Sequence, residues 1–402
     1  MTRTRTALLC AAALLASTLQ TAAATADARH PDGEWDRACA ATRHPRGQAR
    51  EVLALVRAAR EELGLKAALV KVTVDGRELV TGADGDSLTD VSATPAAHFR
   101  TGSVGIAFMG TVLLQLVQEH KAGLDDPVSR WLPDLPHGDE ITLRMLGDST
   151  SGLHDYVTDP VFLKKLYADP WQHWTPEEVV GISLSHPLWY RPGTNWSYSH
   201  ANFVLLGRAL EKISGTPLDR LLQERVMKPL GLRNTRNNDT ALIPPPVLHA
   251  YDDERGTYEE STYWNPSWTT APGAVLTQDI CDLARSGQAI GSGELLSGRS
   301  FRTQLDPGTV GLGHPTANCP ATVCLPMTED FHFGVGVVVR NGWVVQNPSF
   351  FGYAAVMAYE PRKRLSIAVS TTVGPDAPAG NTAQTITERI ADLLDPRHPL
   401  SG

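Results

Sequence analysis

The chain has 402 residues, 42% hydrophobic and 20% charged, enough apolar material for a large core and too much for a disordered polymer. Its 44 acidic and 36 basic residues give a net charge of −8 with no Lys/Arg block, which argues against a nucleic-acid-binding face or a polybasic membrane patch. The nine Trp, nine Tyr and nine Phe follow no repeat period, so a solenoid or propeller is not expected.

At the N-terminus, Arg3 and Arg5 precede an apolar run from Ala7 to Leu19, and small residues follow (TAAATADA). This is the pattern of a secretory signal, too short to span a bilayer, and residues 1–28 are read as such with cleavage after Ala24, Ala26 or Ala28. The mature protein is therefore expected outside the cell, without a stable membrane span, where disulfides persist. Cys319 and Cys324 flank a short loop and are expected to pair. His314 lies nearby, but one His and two Cys match no zinc spacing, and neither a metal nor a cofactor is expected. Cys39 and Cys281 either pair or stay free.

Residues 29–45 read as irregular. From Gln48 to Leu65, Val52, Leu53, Leu55, Val56 and Leu63 recur at helical spacing. Val70, Val72 and Val74 then alternate into Asp75-Gly76, a two-residue hairpin turn, and Leu79-Val80 return. After FRTGS, a long apolar segment without proline reads as a helix stopping at Lys121-Ala122-Gly123. Residues 124–270 mix helical patterns with Pro/Trp loops, and a further helix follows around ICDLARSGQAI. Strands return in HFGVGVVVRNGWVVQ, with Asn341-Gly342 as a second hairpin turn, then YAAVMAYE and RLSIAVSTT. TAQTITERIADLLD closes the chain as an amphipathic helix.

Strands at both ends around a helical middle predict an α+β domain over 46–397. One antiparallel sheet is built from about 46–100 and 325–397, with terminal helices on it and a mostly helical lobe, about 101–324, inserted.

Three segments carry more specific information. Ser103-Val104-Gly105-Ile106 opens the apolar helix, Tyr198-Ser199-His200 precedes another, and Gln346-Asn347-Pro348 lies six residues before Gly352-Tyr353. With the surrounding wording (FRTGSVGIAF, LGDSTSGLHDY, RPGTNWSYSHANFVLLG), their order resembles the serine β-lactamase-like superfamily, especially secreted D-alanyl-D-alanine carboxypeptidases, class C β-lactamases and related esterases. The resemblance spans about residues 50–395. It implies a nucleophile at Ser103, a proton-handling hydroxyl at Tyr198, and a substrate-binding strand at Gln346, Asn347 and Ser349. It also marks departures. The Ser-x-x-Lys lysine is Ile106, the Tyr-x-Asn asparagine is His200, the Lys/His-Thr/Ser-Gly triplet is absent, and the histidine of the family's Leu-x-x-His-Thr-Ser-Gly stretch is Ser149.

Isoleucine can neither accept a proton nor carry charge, and an unactivated serine is a poor nucleophile at neutral pH. Losing a positioned base typically costs ~10²–10⁴ in rate. Two readings follow. In the first, His200 acts as base for Ser103, with Tyr198 beside them, in hydrolysis or acyl transfer on an ester or amide. In the second, a catalytically silent relative binds a cell-wall peptide or small metabolite in its cleft. His98, His154, Lys164 and Lys165 are further cleft candidates, and Trp171, Trp174, Trp189 and Trp196 crowd the inserted lobe.

Overall fold

The computed structural model describes residues 39–401 except Asn238 and Pro307. The signal segment, the start of the irregular segment and Cys10 lie outside the described residues.

The first helix, Gln48–Glu62, buries Ala49, Val52, Val56 and Ala59. It is shorter than its apolar spacing predicts. Gly64 turns the chain at φ +60° and Leu65 already opens the strand Leu65–Val74. That strand pairs with Arg77–Leu88 across Asp75 (φ +52°) and Gly76 (φ +75°), the left-handed pair a two-residue hairpin requires. Asn341 (φ +50°) and Gly342 (φ +81°) repeat the device between Val338–Arg340 and Trp343–Gln346.

One antiparallel sheet results. Its order runs Val91–Ser92, Arg77–Leu88, Leu65–Val74, Leu365–Val373, Tyr353–Glu360, Trp343–Gln346, Val338–Arg340 and Phe331–Phe333. N- and C-terminal segments meet at its centre, with Leu69 opposite Ser370. Helices Gln48–Glu62 and Thr382–Leu394 cover one face, where Val52 and Val56 join Ile386 and Ile390 over Val70, Val72, Val356 and Ile367. Helix Ile280–Ser292 packs on the other face, with Gly287 close against Met357 and Gly291 against Tyr359. Covered on both sides, all of Tyr353–Glu360 is buried, which is why it reads as an apolar run rather than an alternation.

The inserted region is not only helical. Short strands Phe99–Arg100, Leu276–Gln278 and Arg236–Asn237 form a second small sheet, and Tyr251–Asp252 pairs with Glu259–Glu260. Two- and three-residue strands carry too little periodicity to stand out in a sequence. Helix Val104–Gln118 runs through the core with apolar residues all round, as a fully buried helix should. Disulfides join Cys39 to Cys281 and Cys319 to Cys324. Among the described residues, no helix is long and apolar enough to cross a membrane.

Candidate active site

Ser103 stands at the N-terminal end of helix Val104–Gln118, at φ −62° and ψ −4°, and its side chain caps no backbone N–H. The Oγ is thus left for other work, and it lies 3.5 Å from the Tyr198 hydroxyl. Gly102, directly before it, has φ +39°, and a Cβ there would come within 2.8 Å of Phe350 Cε1 and 2.9 Å of Pro348 Cβ. The turn into Ser103 therefore requires glycine for both space and backbone conformation. Ile106 follows one helical turn later and is fully buried in the main core. It fills space and offers no chemistry.

Tyr198 lies in the segment leading into helix His200–Ser214, and its ring meets His200 edge-on at 5.1 Å between centroids. Burial pushes the Tyr198 phenol well above its usual range, and the nearby Asp155 carboxylate adds to the rise. The phenol stays protonated at neutral pH, so it can pass a proton on but is no free base.

The sequence reading missed Asp155. Its carboxylate accepts from His200 Nδ1 at 3.0 and 3.1 Å and from the His200 backbone N–H at 3.1 Å. A carboxylate only accepts, so Nδ1 carries the proton and Nε2 of the neutral ring keeps its lone pair. Asp155 also caps the short turn Tyr156–Thr158 through Val157 N. The side chains of Asp155 and His200 are 9% and 17% exposed, so the pair is shielded from water without being sealed off. The only trace in the sequence was an Asp beside His154 in GLHDY, and nothing local says that this turn faces residue 200.

A buried network holds the two segments together. Ser149, in the left-handed region at φ +67°, donates to Ser197 O, and its Oγ accepts from Asn202 Nδ2 and Ser199 N. Ser199 Oγ donates to the carbonyl of His154 at 2.8 Å. Ser149 thus helps fasten the Tyr198–His200 segment to the one carrying Asp155. Asn195 adds a clamp on the other side. Its Oδ1 accepts from the N–H groups of Gly313 and His314, and its Nδ2 donates to His314 O, which ties the Cys319–Cys324 loop to the same segment.

The segment expected to bind substrate is only partly open to a ligand. Gln346 is 3% exposed and its Nε2 donates to Gly336 O at 2.6 Å, so that amide is engaged by the fold. Asn347 and Ser349 are exposed, and Asn347 O accepts from Asn381. Pro348 sits between strands Trp343–Gln346 and Ser349–Phe350, its carbonyl taking Ala355 N–H, a break in the ladder where a residue without N–H is tolerated. Among the described residues, no Lys or Arg forms a hydrogen bond or ion pair with Ser103, Tyr198, His200 or Asp155.

The other candidates separate. His98 is 6% exposed and packs against Pro246 O. His154 stacks between Trp189 and His186, and burial, helped by His186, lowers its pKa to about 4. Lys164 and Lys165 are exposed on helix Pro160–Ala168. Trp174 and Trp196 are buried, while Trp171 is exposed. Two groups of potential metal ligands come together among the described residues, and both are otherwise engaged. Cys39 and Cys281, beside Asp279, are disulfide-bonded, and Lys363 bridges Glu360 and Asp395 next to His398.

A family model described as Beta-lactamase matches residues 52–390. The chain belongs to the Beta-lactamase family. Penicillin-binding protein 4* of Bacillus subtilis (strain 168) is 25% identical over 264 residues, covering 62% of this chain. The match spans about half the length of that relative, 52%. A solved D-stereospecific amidohydrolase from Streptomyces sp. superposes with TM-score 0.70 at 27% identity, covering 85% of this chain and 97% of that one. EstCE1, a hydrolase with promiscuous acyltransferase activity, superposes with TM-score 0.67 at 22% identity over 85% and 98%, a likeness of fold. Within the family this chain is a serine hydrolase homologue on the α+β β-lactamase/transpeptidase fold, its sheet made of terminal strands around a largely helical middle.

Proposed function

We propose that this chain is a serine hydrolase or acyltransferase of the Beta-lactamase family in which His200, backed by Asp155, replaces the missing lysine. Ser103 Oγ attacks the carbonyl carbon of an ester or amide. Its proton passes to the Tyr198 hydroxyl, which hands its own to His200 Nε2. As the C–O bond forms and the scissile bond breaks, the departing alcohol or amine takes that proton. Water then releases the acyl group from Ser103, or a second alcohol or amine accepts it. The observation that carries this reading is the Asp155–His200 pair, because a buried carboxylate behind an imidazole orients the ring and stabilises the imidazolium that forms. Among the described residues no Lys or Arg bonds to Ser103, Tyr198, His200 or Asp155, which favours an uncharged ester or amide over a C-terminal peptide. The likeness to a D-stereospecific amidohydrolase supports an amide as readily as an ester.

The test is labelling by a fluorophosphonate and turnover of p-nitrophenyl acetate. The wild type should label at Ser103, Ser103→Ala should not, and His200→Ala should turn over ~10²–10⁴ more slowly with an unchanged far-UV spectrum. Labelling and turnover indifferent to His200→Ala would overturn it.

Ile106 favours a second reading, a silent binder, since its buried side chain puts an inert group where the family activates its serine. Calorimetric binding of a cell-wall peptide or a small metabolite without labelling or turnover would select that reading. In either case the N-terminal segment assigns the mature chain to the cell exterior. Its recovery from culture medium beginning after residue 24, 26 or 28 is the check.

A further inference from the structure

Phe350 and Trp268 have no part in the proton path above, yet they stand between its two ends. The ring of Phe350 lies over Gly102, the residue before the nucleophile. It is half-buried, on the two-residue strand Ser349–Phe350 that pairs with Tyr353–Ala354. Its centroid is 5.8 Å from that of Trp268 at an interplanar angle of 80°, and Trp268 in turn lies 6.2 Å from the His200 ring. A chain of ring contacts therefore runs from the backbone beside Ser103 to the imidazole, with Phe350 as its half-exposed end.

That surface is held rigidly. Trp268 is 6% exposed, packs on Phe162 and Phe351, and its carbonyl accepts from the Tyr156 hydroxyl. Phe350 is fixed by Phe351, which has φ +51° and is buried. Aromatic faces and edges favour contact with another ring or an apolar chain.

Resting on the function proposed above, we infer that Phe350 and Trp268 form the acyl-group subsite, and that it selects an aromatic acyl group. The group meant is an arylacetyl ester or amide, in preference to a short aliphatic acyl group.

The experiment compares p-nitrophenyl phenylacetate and acetate as substrates. It also measures binding of phenylacetamide and acetamide to Ser103→Ala by tryptophan fluorescence, which needs no turnover. Phenylacetate should exceed acetate in kcat/KM by about tenfold or more. Phe350→Ala should bring the phenylacetate-to-acetate ratio close to one, and Trp268→Phe, which keeps a ring in the core, should lower it partly. Phenylacetamide should bind more tightly than acetamide, and Phe350→Ala should remove the difference. Equal kcat/KM for the two esters, equal binding of the two amides, or a preference that survives Phe350→Ala would overturn the inference. Absence of all ester turnover would count against the function reading instead, and the amide binding would still decide the subsite.

Discussion

Asp155 holds His200 twice, through the imidazole Nδ1 at 3.0 Å and through the backbone N–H at 3.1 Å. The double contact fixes both the ring and the first residue of helix His200–Ser214. A carboxylate at a helix N-terminus is also favoured by the helix dipole, so the same charge serves the fold and the ring.

From this pair comes the first expectation. Asp155→Asn keeps the shape but removes the charge, so ester turnover should fall by about 10²-fold or more, with a smaller loss in binding. A stopped assay separating kcat from KM checks it; a change confined to KM would assign Asp155 to structure alone.

The position of Ile106 leads to a second. Fully buried one turn after Ser103, it cannot accept an ammonium without cost. Ile106→Lys should lower stability by several kcal/mol, on the order of 2–5. Ile106→Ala should cost about 2–4 kcal/mol through the cavity it leaves, with ester turnover largely kept. Urea denaturation and p-nitrophenyl acetate assays measure both. Turnover lost in the alanine variant would mean that the side chain does more than pack.

The two disulfides should differ in weight. Cys39–Cys281 spans a sequence separation of 242, Cys319–Cys324 only 5. Loop-closure entropy gives ~5 kcal/mol for the long crosslink and ~2 kcal/mol for the short one. Guanidinium unfolding of the paired serine variants should rank them in that order.

Stability should also depend on pH in an unusual direction. Burial pushes the carboxyls of Asp148 and Asp252 up to about 6, and burial beside Asp279 raises Asp282 as well. A carboxyl that binds its proton more tightly folded than unfolded favours the native state below its unfolded pKa, near 4, and loses that contribution as pH rises through about 6. Opposing it in that range, His154, lowered to about 4 by burial, favours the native state less as pH falls below its unfolded value near 6.5. Glu119, held down to about 2 by Arg225 and Lys121, contributes in full above about 4 and is constant there. Tm should therefore be higher at pH 5 than at pH 7.5 by roughly 2–4 °C, and Asp252→Asn should flatten the difference in a calorimetric scan.

Much of this was legible in the chain alone. Val70-Val72-Val74 before Asp75-Gly76, and the apolar runs 353–360 and 365–373, are local patterns whose period and turn chemistry point to one architecture, and Ser103, Tyr198 and His200 stand in short motifs that order alone can align. The helix from Gln48 stops before Leu65 because Gly64 can turn at positive φ, a choice the apolar spacing does not register. What only the tertiary structure decided are the contacts between residues far apart in sequence. Asp155 meets His200 across 45 positions, Phe350 covers Gly102 from the far end of the chain, and Gln346, expected to face a ligand, gives its amide to Gly336. Periodicity reports which face of an element is apolar. Which carboxylate stands behind which imidazole depends on how separate elements pack, and that is settled by burial and hydrogen bonding over the whole domain.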